Sequence, residues 1–139
     1  MPTQRVLFLC THNSARSQMA EGLLRHYGAG GYQAFSAGTE ATAVRREAVA
    51  VMAELGIDIS GQKSKTLDGY FREPFDWAIT VCDSACKACP VLPGATRRAH
   101  WDLDDPAAAV GSMDERLAVF RRVRNELDSR VRAFVKRDR

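Results

Sequence analysis

The chain has 139 residues, of which 45% are hydrophobic, and a formal net charge of +3 at neutral pH. That length supplies one ordinary core and is too short for two, so we predict a single domain over residues 1–139. No apolar run reaches the length of a membrane span and the N-terminus lacks the pattern of a secretion signal, so we expect a cytoplasmic protein without a membrane partner. In that reducing compartment the four cysteines are expected to serve catalysis, redox chemistry or metal binding rather than structural disulfides.

Apolar spacing along the chain predicts strands that alternate with helices. In chain order the pattern predicts a strand at 6–9, a helix at 17–27 ending before Gly28, a strand at 33–37, a helix at 45–55 ending before Gly56, a buried strand at 76–81, a shorter strand at 96–101 and a long amphipathic helix from 114 onward. Such alternation implies right-handed crossovers around a parallel sheet of about four strands, with helices on both faces. We therefore predict a single-domain, three-layer α/β/α fold in which catalytic residues follow the carboxyl ends of strands.

The segment VLFLCTHNSARS, from Val6 to Ser17, completes a buried strand and opens a helix. A turn of this kind presents backbone N–H groups and the positive end of a helix dipole, which together bind anions. Cys10 begins the turn and Arg16 ends it, and the guanidinium fork of Arg16 can bind two oxygens of one tetrahedral oxyanion. The residues between them that can wrap the oxyanion are Thr11, His12, Asn13, Ser14 and Ala15.

Cys10 is the predicted nucleophile of this turn. N–H groups around a cysteine favour the thiolate, which is the reactive form. Asn13 suits a left-handed backbone position in so tight a loop. The turn lacks the glycines and the lysine of nucleotide-binding loops, so the expected ligand is a small oxyanion. A Cys-x5-Arg spacing also occurs by chance, which leaves a purely structural cysteine as the alternative.

The segments LFLCTHNSARSQMAEGLL and FSAGT, with the Asp-Asp-Pro of residues 104–106, resemble the low-molecular-weight tyrosine phosphatase family, in particular its thioredoxin-recycled arsenate reductase branch. The resemblance extends over essentially the whole chain. It implies an enzyme that binds arsenate, with phosphate or sulfate as analogues, and that holds no cofactor. By the same resemblance Cys10 is the nucleophile, Arg16 binds the oxyanion, Ser17 stabilises the thiolate and Asp105 is the general acid.

The chemistry of Asp105 also fits the role of an acid. Displacing an oxygen from arsenate or from a phosphate ester needs a proton donor, and a carboxylic acid on a loop facing the anion supplies one. Pro106 fixes the backbone directly after it. An ordinary acidic turn or helix cap is the alternative interpretation of the same residues.

The segment VCDSACKACPVLP bears on the choice between hydrolysis and reduction. Hydrolysis of a phosphate ester needs one nucleophilic cysteine and a water, whereas reducing arsenate to arsenite takes two electrons and a second thiol. By the resemblance, Cys82 attacks the Cys10–arsenic adduct and releases arsenite, which leaves a Cys10–Cys82 disulfide. Cys89 then attacks Cys82, and thioredoxin reduces the resulting Cys82–Cys89 disulfide. We expect an arsenate reductase that serves arsenic detoxification; the alternative is a protein tyrosine phosphatase that uses Cys10, Arg16 and Asp105.

The reductant and the role of Cys86 stay open. A glutathione and glutaredoxin pair or another small thiol could replace thioredoxin. If this segment is helical, Cys86 would lie one turn from both neighbouring cysteines; it could then compete as the resolving thiol or be a bystander. The three thiolates could also hold zinc, although no histidine follows at finger spacing. If residues 82–89 formed one helix, Cys82 and Cys89 would lie about 10 Å apart, too far for a disulfide, so we expect that segment to unwind on oxidation and to be more mobile than the rest.

Some reductases of this branch bind potassium through an asparagine, a glutamate, a serine and an aspartate. Asn13, Glu21 and Ser36 match the first three, but Lys65 stands where the aspartate aligns. An ammonium group there can pair with Glu21 and replace the cation, so we predict no bound potassium. The arginines of the last helix are expected to form a solvated face, and we predict a monomer without a nucleic-acid partner.

Overall fold

The computed structural model describes residues 3–82 and 93–138 and has an α/β architecture. Its elements are, in chain order, strand β1 (Gln4–Cys10), helix α1 (Arg16–Tyr27), strand β2 (Tyr32–Gly38), helix α2 (Arg46–Ala53), strand β3 (Phe75–Cys82), strand β4 (Ala95–Asp102) and helix α3 (Met113–Asp138). Short 3-10 turns lie at Leu67–Gly69 and Pro106–Ala108. Each strand and helix predicted from the sequence is present, which confirms the α/β class.

The strands form one parallel sheet in the order β2-β1-β3-β4. The chain crosses from β1 to β2 on one side, whereas β3 lies on the other side of β1, so the direction of winding reverses between β1 and β3. Ligands of open parallel sheets bind beyond the carboxyl ends of the strands at such a reversal. Cys10 ends β1 and Cys82 ends β3, so both cysteines lie at this point of the sheet.

Strand β4 differs from its prediction, because it is not shorter than β3: each has eight residues. It is an edge strand, and most of its side chains are exposed, whereas most of those of β3 are buried. An edge strand tolerates charged residues such as Arg97 and Arg98, which discourage pairing with another chain. Because β4 has few apolar residues, the apolar spacing predicted a strand shorter than the one observed.

Two apolar clusters lie on opposite faces of the sheet. The larger contains Val6, Phe8 and Cys10 of β1 and packs beneath α1, α2 and α3. The smaller contains Leu7 and Leu9 of the same strand. This alternation is that of a strand buried on both faces. The position of Cys10 is consequently fixed by packing on both sides of its strand.

Helix α3 begins at a capping box. The N–H of Glu115 donates to Ser112 Oγ and the N–H of Ser112 donates to Glu115 Oε1, both at 3.1 Å. These hydrogen bonds lower the pKa of Glu115 and anchor the far end of the loop that joins β4 to α3. Neither α3 nor any other helix of the described residues is long and apolar enough to cross a bilayer.

Candidate active site

Cys10 lies at the carboxyl end of β1 with its side chain buried and only 8% exposed. The backbone N–H of Asn13 donates to Cys10 Sγ at 3.2 Å, and Ser17 Oγ lies 2.8 Å from the same sulfur. Both partners come from the turn and the first helical residues that follow the strand. The sulfur is therefore held at the entrance of α1, where N–H groups stabilise negative charge.

The side chain of Asn13 donates to the Ser17 hydroxyl that lies beside Cys10. Asn13 Oδ1 accepts from the backbone N–H of Lys65 and from Gln18 Nε2, both at 2.8 Å, so its Nδ2 is the atom that donates to Ser17 Oγ at 2.7 Å. The hydroxyl oxygen accepts from Asn13, and its proton is available to Cys10 Sγ. Ser17 can therefore donate to the sulfur when Cys10 is a thiolate, which only accepts hydrogen bonds.

Asn13 has the left-handed backbone conformation that the sequence predicted, with φ of 51°. It is fully buried, so its amide contacts are shielded from water. Sequence reasoning did not find the two donors that orient it, the Gln18 side chain and the Lys65 backbone, because neither carries a motif. The asparagine therefore both shapes the turn and contacts the hydroxyl beside Cys10 Sγ.

The carbonyl groups of residues 11–15 all bond to donors outside this stretch. The donors are, in chain order, Glu40 N, Ser64 Oγ, Gln18 Nε2, Arg45 N and Met19 N. A planar trans peptide directs its carbonyl and the following N–H in opposite directions. The N–H groups of residues 12–16 therefore face the concave side, as that of Asn13 does towards the sulfur. We call this ring of N–H groups, formed by residues 12–16, the N–H nest; such a nest binds anions.

Of the other predicted loop residues, His12, Ser14 and Ala15 contribute backbone N–H groups to the nest, whereas the Thr11 carbonyl accepts from Glu40 N. The His12 side chain is 48% exposed, and its Nε2 lies 3.3 Å from Glu40 Oε2. Close packing around the loop explains Gly38 at the end of β2: a Cβ there would lie 2.7 Å from the Thr11 carbonyl oxygen and 2.9 Å from Asn13 N.

Arg16 and Asp105 meet across the mouth of the nest. Arg16 is buried, its Nη1 donates to the Leu103 carbonyl at 3.0 Å, and its Nη2 lies 3.7 Å from Asp105 Oδ2. Asp105 Oδ1 accepts from the Ala107 N–H at 3.0 Å, which caps the 3-10 turn. Both sequence interpretations of Asp105 are thus compatible with one geometry, because one oxygen caps a turn and the other faces the arginine.

The second thiol, Cys82, is buried at the end of β3 and pairs in register with Asp102. Ile79 and Val81 of β3 belong to the larger apolar cluster, as Cys10 does. Since side chains alternate along a strand, Cys82 points to the other face of the sheet. Cys86 and Cys89 belong to residues 83–92, which are outside the described residues. The predicted unwinding and mobility concern the same segment and stay predictions.

The predicted ion pair beside the nest is present. Lys65 Nζ lies 3.8 Å from Glu21 Oε1, which also accepts a hydrogen bond from Ser36 Oγ at 2.6 Å. Arg25 Nη2 bonds the other carboxylate oxygen at 2.7 Å. Burial lowers the pKa of Lys65 and Arg25 lowers it further, whereas the charge of Glu21 acts in the opposite direction. Two cationic side chains therefore compensate the buried carboxylate.

A cysteine and an arginine that bracket an N–H nest, with a carboxylic acid across from them, define a class of enzyme. In this class a thiolate attacks a bound tetrahedral oxyanion. Residues 5–138 match the protein family described as low molecular weight phosphotyrosine protein phosphatase, and the chain belongs to that family. The family predicted by the sequence resemblance is thereby confirmed.

Similar proteins place the chain near one branch of the family. An arsenate reductase of Halalkalibacterium halodurans is 46% identical over 129 residues, which cover 93% of each chain. A solved structure described as an arsenate reductase in the phosphate binding state has a TM-score of 0.84 at 35% identity, covering 97% of this chain and 98% of its own. A thioredoxin-dependent arsenate reductase of Corynebacterium glutamicum has a TM-score of 0.74 at 28% identity, covering 99% of this chain and 64% of its own.

Proposed function

We propose that this chain is an arsenate reductase that reduces arsenate to arsenite through a relay of its own thiols. The observation that carries the proposal is the presence of two thiols at the ends of neighbouring strands: Cys10 in the N–H nest and Cys82 at the end of β3. A phosphatase uses only the first of these thiols, whereas a two-electron reduction uses both. The arsenate reductase relatives support the same conclusion.

In the proposed first step, arsenate binds in the N–H nest and the guanidinium group of Arg16 holds two of its oxygens. The Cys10 thiolate, which Ser17 Oγ and the Asn13 N–H contact, attacks arsenic and forms a sulfur–arsenic bond. One arsenic–oxygen bond breaks as Asp105 donates a proton to the departing hydroxyl, which leaves as water.

The second step transfers two electrons to arsenic. The Cys82 thiolate attacks the sulfur of Cys10, and the electron pair of the sulfur–arsenic bond stays on arsenic, which leaves as arsenite. A Cys10–Cys82 disulfide remains. Cys89 then attacks Cys82, so Cys10 leaves as a thiolate and the disulfide becomes Cys82–Cys89. An external dithiol supplies two electrons to reopen it; we propose thioredoxin, on which the Corynebacterium glutamicum relative depends.

The relay requires the end of β3 to rearrange. Cys82 points to the face of the sheet opposite Cys10, and its backbone carbonyl accepts from the Leu103 N–H at 3.1 Å. We propose that Cys82 leaves its pairing with Asp102 before it attacks. We propose a cytoplasmic monomer, because a reducing compartment keeps the thiols of the relay available.

The proposal is tested by arsenate-dependent oxidation of NADPH through thioredoxin and thioredoxin reductase. Cys82→Ser and Cys89→Ser should abolish turnover, and Cys86→Ser should retain it. Full turnover by Cys82→Ser would contradict the relay, and failure of Cys86→Ser with survival of Cys89→Ser would move the resolving role to Cys86. Phosphate-ester hydrolysis is the matched control, because Cys82→Ser keeps Cys10, Arg16 and Asp105 and should retain any such activity.

A further inference from the structure

The contact between Asn13 and Ser17 is the inner end of a longer series of side-chain hydrogen bonds. Gln62 Nε2 donates to Gln18 Oε1 at 2.7 Å, although the two residues are 44 positions apart along the chain. Gln18 Nε2 donates to Asn13 Oδ1 at 2.8 Å, and Asn13 Nδ2 donates to Ser17 Oγ at 2.7 Å. We call the three side-chain amides of Gln62, Gln18 and Asn13 the amide series. It connects the hydroxyl beside Cys10 to a distant turn.

Contacts with the backbone fix the orientation of the two glutamine amides. Gln62 Nε2 also donates to the Gln18 carbonyl at 3.1 Å. Gln18 Nε2 also contacts the Asn13 and Lys63 carbonyls, at 3.0 and 2.9 Å. Because a backbone carbonyl only accepts, the atoms that face these carbonyls must be the amide nitrogens. The side-chain oxygen of Gln18 is consequently left to accept from Gln62.

The Asn13 amide is fixed in the same sense. Its Oδ1 accepts from the backbone N–H of Lys65, which only donates, so its nitrogen faces Ser17. Each amide therefore accepts from the previous one and donates to the next. The donors of the whole amide series are directed towards the hydroxyl beside Cys10 Sγ.

Burial strengthens the inner part of the amide series. Asn13, Ser17 and Gln18 are fully buried, whereas Gln62 is half-buried. Hydrogen bonds that follow one another in surroundings of low dielectric constant polarise and strengthen each other. At the outer end Arg25 Nη1 donates to Gln62 Oε1 at 3.3 Å, so the series begins at a cation.

From this geometry we infer that Gln18 and Gln62 are positioning residues that stabilise the Cys10 thiolate through Asn13 and Ser17. The aligned amides polarise the hydroxyl that can donate to the sulfur, which favours negative charge there. The inference rests on the nucleophilic role of Cys10 in the proposed function. It extends that role to the turn at residues 58–62, which carries no reacting group.

The test is the pH profile of Cys10 alkylation by iodoacetamide, because the thiolate is the form that reacts. The reference protein is the full chain with Cys82, Cys86 and Cys89 replaced by serine, which leaves Cys10 as its sole cysteine. Charged groups near the nest are the same in every protein compared. These groups are Arg16, Asp105, His12, Glu21, Arg25 and Lys65.

Three substitutions are made in the reference protein. Gln62→Met keeps the length of the side chain and removes its N–H group. Gln18→Met removes the buried link, and far-UV circular dichroism checks that both variants are folded. Ser60→Ala is the matched control, because Ser60 is exposed and its hydroxyl bonds Asp58 Oδ1 at 2.6 Å in the same turn, outside the amide series.

We expect the midpoint of the alkylation profile to rise by about 0.3 pH unit in Gln62→Met. Alkylation below the midpoint then slows about twofold, as the loss of roughly 10–30% of a hydrogen bond to a charged group predicts. Gln18→Met, which removes the direct contact with Asn13, should raise the midpoint by about one unit or more. The rate at high pH, where every protein carries the thiolate, should stay within about twofold, and Ser60→Ala should match the reference.

A midpoint that stays unchanged in folded Gln62→Met would overturn the inference. An equal rise in Ser60→Ala would also overturn it, because the effect would then belong to the turn and not to the amide series. A lower rate at high pH without a shifted midpoint would indicate a merely structural role and would overturn it as well.

Alkylation needs neither arsenate nor the other thiols, so the two proposals can fail separately. A midpoint that rises in Gln62→Met, in a protein whose wild type does not reduce arsenate, would overturn the proposed reductase and leave this inference in place. Arsenate reduction by the wild type together with an unchanged midpoint in Gln62→Met would overturn this inference alone.

Discussion

Replacing Ser17 by alanine removes the hydroxyl that lies 2.8 Å from the Cys10 sulfur and can donate to its thiolate. Ser17 is fully buried, so water does not replace the lost donor. A hydrogen bond to a charged group contributes about 1.5–3 kcal/mol. We therefore expect kcat/KM for arsenate to fall by about tenfold to hundredfold, at 1.36 kcal/mol for each factor of ten.

The same substitution also affects stability, because Asn13 Nδ2 loses its acceptor at 2.7 Å. A buried donor without a partner costs about 1–3 kcal/mol, which should appear as a lower free energy of unfolding in urea. Arsenate-dependent NADPH oxidation measured well below the unfolding midpoint separates the catalytic loss from the loss of stability.

Ser64→Ala is the matched control for Ser17→Ala. The half-buried Ser64 donates its hydroxyl to the His12 carbonyl on the outside of the same loop at 2.9 Å, in a hydrogen bond that is exposed to solvent. We expect kcat/KM of this variant to stay within about threefold of the wild type, because an exposed neutral hydrogen bond contributes only about 0.5 kcal/mol. A folded Ser17→Ala protein with wild-type kcat/KM would refute the assignment of the hydroxyl to the thiolate.

Three further predictions concern other parts of the site. Lys65→Asp removes the ammonium group beside Glu21, so the activity of this variant should become dependent on potassium over sodium. Potassium dependence of the wild type would contradict the prediction that Lys65 replaces the cation. Asp105→Asn should lower kcat by about 10²–10⁴-fold, the usual contribution of a general acid; steady-state kinetics that show little change would remove Asp105 from the mechanism. Gly38→Ala places a Cβ 2.7 Å from the Thr11 carbonyl oxygen, so the loop must shift. We expect kcat/KM to fall by about tenfold or more, while far-UV circular dichroism shows that the variant is folded.

The elements that could be predicted from the sequence are those whose burial leaves a regular apolar pattern. Strand β1 is buried on both faces, and its continuous apolar run predicted it directly. Strand β4 was underestimated, because an edge strand needs few apolar residues. The spacing of hydrophobic residues therefore predicts which strand residues are buried in the core, and it does not predict where an exposed strand begins or ends.

The predicted site residues of the turn were found from one local motif, because Cys10, Asn13, Arg16 and Ser17 lie within eight consecutive residues. The residues that support them were not found. Lys65 was singled out by its charge and not by its backbone. Its backbone N–H donates to Asn13 Oδ1 at 2.8 Å, although the two residues are more than fifty positions apart along the chain. Contacts of this kind follow from the tertiary fold and leave no periodic signal.

A cleft beside the nest could not be predicted from the sequence either. It is lined by the start of α2 and by the loop after β4, and these segments are about sixty residues apart along the chain.

A single-turnover reaction tests the central claim most directly. Fully reduced protein is mixed with excess arsenate in the absence of any external reductant, and arsenite and remaining thiols are counted. The thiol relay predicts one arsenite and the loss of two thiols per chain, with none of either in Cys10→Ser or Cys82→Ser. Arsenite formation that survives in Cys82→Ser, or an intact thiol count after exposure to arsenate, would contradict it.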